Sequence, residues 1–99
     1  MRDGRTSCCV PFCRRTTAGA GIEWVCNMHW PKVPKPLKER LQLARRIRRR
    51  AELRFQKRFA DQGDTYTPEQ WRRVEAARGL AARAWDRCRD AAIQSAIGV

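Results

Sequence analysis

Four side chains able to hold a soft metal recur near the start of this 99-residue chain in the order Cys8-x4-Cys13-x12-Cys26-x2-His29. No other feature limits the fold as much. A chain of this length builds one modest core, and small domains of that kind lean on disulfides, a metal or a partner. No apolar segment after Met1-Arg2-Asp3-Gly4-Arg5 acts as a secretory signal, and no apolar run of 18 or more residues is present to span a membrane. The cytoplasm is therefore the expected location, thiols stay reduced there, and the cluster reads as the ligands of one zinc ion. Four protein ligands close a tetrahedron and leave no place for water or substrate, so the ion is expected to be structural. Cys9 competes with Cys8 for the first position, because Cys9-x3-Cys13 is also a workable spacing; the residues alone leave that choice open. The fifth cysteine, Cys88, lies far from the cluster and reads as core.

Residues 1–36 hold the cysteine cluster and four of the five prolines, and are expected to form a loop-rich head with little helix. Within it Arg14–Thr17 and Ile22–Val25 flank Ala18-Gly19-Ala20-Gly21, a pattern that predicts a short β-hairpin leading into Cys26. Pro31, Pro34 and Pro36 predict a stiff connector with no regular helix before Leu37. Beyond it, Leu37, Leu41, Ala44, Ile47, Ala51, Phe55 and Phe59 recur every three or four residues and predict a helix reaching about Ala60. Asp61–Tyr66 breaks the pattern. Thr67-Pro68-Glu69-Gln70 then has the composition of a capping box with Pro at the first helical position. Trp71, Val74, Ala77, Ala81, Trp85, Cys88 and Ala92 predict the apolar side of a second, antiparallel helix. The expected fold is mostly α: a zinc-stabilised head with a short β-hairpin (1–36), then an antiparallel αα-hairpin (37–99). Two helices bury little area, so either the head packs on them or the chain forms a homodimer.

The formal net charge is +12, nearly all of it from arginine. Ten of the residues from Lys38 to Arg58 are Lys or Arg and only two are Glu, whereas the second helix carries six Arg against four acids. Charge placed for solubility alone mixes both signs; clustered arginine creates a focused positive field that calls for an anionic partner. The candidate contact residues are Arg45, Arg46, Arg48, Arg49, Arg50, Arg54, Lys57 and Arg58. Nucleic acid is the first partner such a surface suits, and an acidic protein the second. A membrane is not expected, because the apolar stripe of the first helix is needed for packing against the second. Trp71 and Trp85 read as core, and Trp24 and Trp30 as covers for the metal ligands.

Cys8-Cys9-Val10-Pro11-Phe12-Cys13-Arg14-Arg15 followed by Cys26-Asn27-Met28-His29-Trp30 resembles the C-x-V-x-G-C-x-R…C-x-x-H-[YW] zinc fingers of small phage and prophage proteins. Such fingers also stand at the front of phage HNH-type endonucleases. The resemblance covers about a third of the chain and implies Cys8 as the first ligand. The stretch from Trp30 to Leu37 resembles a His-Trp-x-x-Val-Pro-x-Pro-Leu continuation in phage-type proteins. Phe12 departs from the pattern by replacing glycine, and the His-Asn-His constellation is absent. His29 is the only histidine and is committed to the metal, so nuclease activity is not expected. The expectation is a non-enzymatic, phage-type zinc-finger protein that binds DNA or RNA through its arginine-rich helix. The alternative is a phage-encoded inhibitor that docks its basic face on an acidic surface of a host defence complex, in the manner of an anti-CRISPR, or of a transcription complex.

Overall fold

In the computed structural model, which describes residues 4–19, 22–59 and 67–98, a two-stranded sheet and a 3-10 turn precede two long helices. Strands β1 (Arg5–Ser7) and β2 (Thr16–Ala18) pair antiparallel, with Thr6 opposite Thr17. Further backbone bonds extend the ladder, from Cys8 N–H to the Arg15 carbonyl (2.9 Å) and from Gly19 N–H to the Gly4 carbonyl (2.7 Å). The hairpin is thus displaced from the one the sequence suggests. Its connection is the cysteine-bearing segment 8–15, and Ile22–Val25 is not a strand, although the Trp24 carbonyl accepts from Cys9 N–H at 2.8 Å. Arg5 reinforces the observed pairing by donating to the Thr16 hydroxyl (2.8 Å) and carbonyl (3.2 Å). Ala20 and Gly21 lie outside the described residues, as does the Asp61–Tyr66 break.

Helix α1 (Lys35–Phe59) starts two residues before Leu37, with Pro36 in its first turn, and Trp30–Lys32 forms a 3-10 turn containing Pro31. Both corrections have one cause: the first N–H groups of a helix have no intrahelical acceptor, so a proline there costs no hydrogen bond. Helix α2 (Pro68–Ile97) opens with the capping box that its sequence predicts. The Thr67 hydroxyl accepts from Gln70 N–H, and the Gln70 side chain accepts from Thr67 N–H at 2.7 Å. At its far end Gly98 takes the left-handed conformation and returns its N–H to the Gln94 carbonyl.

The helices run antiparallel. Cys88 Sγ lies 3.4 Å from the Leu37 carbonyl, Arg78 meets Glu52, and Trp71 meets Phe55 edge-on. Small buried residues, Ala44, Ala77 and Ala81, occupy the contact between these points and let the two backbones approach. The head packs on one end of the pair rather than standing apart. Val10, Val25, Cys26 and Val33 share a single buried cluster with Leu41, Cys88 and Ala92. Two contacts lock it: Trp30 stacks on Trp85 with centroids 6.2 Å apart, and Glu23 accepts from the Trp85 indole N–H and from Arg89, each at 3.0 Å. Among the described residues, no helix is long and apolar enough to cross a membrane.

Candidate metal centre and basic surfaces

Two turns bring the ligands together. Cys13 N–H bonds to the Val10 carbonyl across Pro11 and Phe12, and Phe12 has φ of +68°. That is a type II turn, with Pro at its second place and a left-handed residue at its third. It lies between Cys8 and Cys13 and directs both toward the Cys26–His29 turn, in which His29 and Trp30 N–H groups bond to the Cys26 carbonyl at 3.1 and 2.9 Å. The three sulfurs and one imidazole nitrogen of Cys8, Cys13, Cys26 and His29 all lie within 4.8 Å of one another.

The separations suit a metal ion. Cys13 Sγ is 3.8 Å from Cys26 Sγ, Cys8 Sγ is 3.8 Å from His29 Nδ1, and Cys26 Sγ is 3.1 Å from His29 Nδ1. A tetrahedron with ~2.3 Å metal–sulfur bonds has edges of roughly 3.8 Å. Cys9 is not part of the cluster, so the geometry selects Cys8. Cys8 and Cys26 are buried, Cys13 and His29 half-buried. Burial works against ionisation of Cys26, but the backbone N–H groups of Met28 and His29, helped by the His29 ring and Cys8, hold its thiol at about 6. Burial raises the Cys8 thiol instead, against the pull of the Cys26 backbone N–H at 3.3 Å. The lowered Cys26 thiol favours the ionised form that a cation binds, and a bound cation would draw the other thiols the same way.

Cys88 is fully buried in the interhelical core, as expected, and burial raises its thiol despite Arg45 and Lys38 nearby. Trp24 and Trp30 border the ligand cluster; Trp71 and Trp85 are half-buried between the elements they join. Lys38 lies over the Trp30 ring at 5.4 Å, so the first turn of α1 touches the head through a cation–π contact.

The eight predicted basic contacts are all exposed, yet they do not share one face. At about 100° per residue, Arg46, Arg50 and Lys57 lie on the side of α1 turned from α2, with Arg49 on its flank and Arg45 at the edge nearer the buried Cys88. None of these five forms an ion pair with a described residue. Arg48 sits at the seam, 3.5 Å from Glu52, which Arg78 also approaches. Arg54 and Arg58 turn the other way and line a cleft with Arg73 of α2. Another cleft holds Arg40 with Arg83 and Arg87, and beside them Leu43, Ile47 and Leu80 are exposed. Counting charge by helix missed these α2 arginines; counting by helical face finds them. The exposed trio also corrects the view that packing uses up the whole apolar stripe, Ile47 included.

The chain matches no protein-family model, no curated protein and no solved structure.

Proposed function

We propose that the chain is a non-enzymatic, zinc-stapled protein of phage type that binds nucleic acid through the exposed, unpaired basic residues of α1. Three thiolates and one imidazole are the donor set of structural zinc, and four protein ligands leave no open position for catalysis. Holding the head on α1 and α2 is the work of the ion; holding phosphate is the work of the helix.

The unpaired basic surface of Arg45, Arg46, Arg49, Arg50 and Lys57 carries this reading. Arg45 and Arg49, like Arg46 and Arg50, are i,i+4 neighbours of the same sign, an arrangement that weakens a helix by about 0.2–0.5 kcal/mol per pair. Nothing in the described fold compensates for it. Phosphates would, and the planar guanidinium suits them.

Anisotropy titrations with labelled duplex DNA, single-stranded DNA and RNA over a salt series test the reading. Affinity is expected to fall steeply with salt. Changing Arg45, Arg46, Arg49 and Arg50 together to Glu should reduce the log–log slope by about 3–4, since each lost phosphate contact removes ~0.9. Unchanged binding by that variant, with its metal and helix content intact, would refute the assignment.

A further inference from the structure

The two clefts between α1 and α2, of about 320 and 220 Å³, lie on one side of the pair. Along α1 they are lined by Arg40, Ala44 and Ile47 and then by Ala51, Arg54 and Arg58, a succession of threes and fours that keeps to one helical side. Along α2, Arg87, Leu80 and Arg73 follow at intervals of two turns. The clefts are therefore two parts of one groove, and from Leu37 to Arg58 it runs roughly 30 Å at ~1.5 Å per residue.

Its chemistry is double. Leu43, Ile47 and Leu80 stand 52%, 40% and 39% exposed on its apolar part. Six exposed arginines border it, three from each helix, and none of them pairs with a described carboxylate. Glu69 is the only acid in the lining of either cleft.

That combination discriminates among occupants. A nucleic acid would satisfy the arginines but leave Leu43, Ile47 and Leu80 against a hydrated phosphate backbone. A second copy of this chain would bring six more arginines to the same place, where like charges across the interface repel. A helix with acidic residues on its flanks and large apolar residues at i, i+3, i+4 and i+7 answers both demands at once. We infer that the groove is a docking site for an acidic amphipathic helix of a partner protein. On α1 it lies on the opposite flank from Arg45 and Arg49, although Arg50, one turn from Arg54 and Ile47, stands at its border, so its occupation is separable from contacts made by Arg45 and Arg49.

The test uses the full, zinc-loaded chain as bait for a display library of random peptides roughly 20 residues long, enough at ~1.5 Å per residue to fill the groove. The recovered peptides should be acidic with helically spaced apolar residues. A labelled synthetic copy should lose about tenfold or more in affinity on Leu80→Glu or on joint Arg83→Glu and Arg87→Glu substitution. These positions are exposed, and circular dichroism with metal analysis verifies that each variant is folded; Ile47→Ser, which adds no charge, should weaken binding in the same direction. Joint Arg45→Glu and Arg49→Glu substitution should leave peptide affinity nearly unchanged while weakening nucleic acid, which separates this inference from the nucleic-acid reading. Recovery of peptides without acidic residues would overturn it, as would peptides displaced onto the Arg45 and Arg49 side. Binding of phosphatidylglycerol vesicles that is lost with Leu80→Glu would assign the groove to a membrane instead, and a sedimenting dimer abolished by the same change would assign it to a second copy.

Discussion

At one end of the helix pair, four candidate ligand side chains, the Trp30–Trp85 stack and the Glu23 clamp hold a head whose described residues include only six of strand. At the other end Phe55 packs on Phe59 and Trp71, with ring centroids 4.8 and 5.2 Å apart, and Thr67 caps α2. The head cannot draw stability from long runs of backbone hydrogen bonds, so directional interactions between distant residues take their place. The shaft has those runs, and needs only apolar area to hold one helix on the other. The two ends should therefore fail under different treatments.

Removing the proposed zinc ion gives the largest expected effect. Ligation of structural zinc contributes on the order of 10 kcal/mol to the folding of small fingers, and all four candidate ligands lie before α1. Chelation, or Cys26→Ser, is expected to abolish dispersed amide resonances from residues 4–33 while the circular dichroism of the helices persists in large part. Collapse of head and shaft together would show that the two ends are not independent, and that the shared cluster around Leu41 and Cys88 couples them into one unit.

Truncating the other end comes next. Phe59 is 8% exposed, and Phe59→Ala is expected to cost about 2–4 kcal/mol in urea denaturation. Metal affinity should be unchanged, because Phe59 lies near the end of α1 remote from the ligands.

What could be read from the sequence divides along the same line. The ligand spacing, the apolar periodicity of both helices and the Thr67–Gln70 cap are local patterns, carried by residues within a few turns of each other. The strand Arg5–Ser7 left no such mark, because Arg-Thr-Ser has no apolar alternation and its partner lies beyond the cysteines. Nor did the Glu23–Arg89 contact, whose residues are 66 apart in the chain. The interhelical groove was hidden for a third reason: its arginines are divided between two helices, and only the rotation of each helix brings them to one side.

The Glu23 clamp offers a smaller perturbation at the head end. Its carboxyl is held below the ordinary 4.5, first by the indole N–H of Trp85 and then by Arg89. A group depressed in the folded state contributes stability above its unfolded pKa and loses it as pH falls through the folded one. Glu23→Gln, which keeps an acceptor for Trp85 but removes the charge, should therefore destabilise by a constant amount across roughly pH 5.5–8. Glu23 is half-exposed, so solvent screening limits the loss to about 1 kcal/mol or less. Denaturation of both proteins through that window checks it; a difference that varies with pH would assign the effect to another titrating group.

The smallest effect has the opposite sign, and it concerns the turn that delivers Cys13. Phe12 is fully exposed and holds φ at +68°, where a β-carbon crowds the backbone. Its ring covers nothing, so no packing offsets the strain, and glycine would adopt the conformation freely. Glycine also loses more freedom on folding, which offsets part of the gain. Phe12→Gly is thus expected to raise stability by about 1 kcal/mol or less, and to slow metal loss to a competing chelator. If it lowers stability instead, the ring is making a contact in solution. Since the fold leaves it open to solvent, that contact would have to be with a partner or a second molecule, and the head would then be a binding surface as well as a brace.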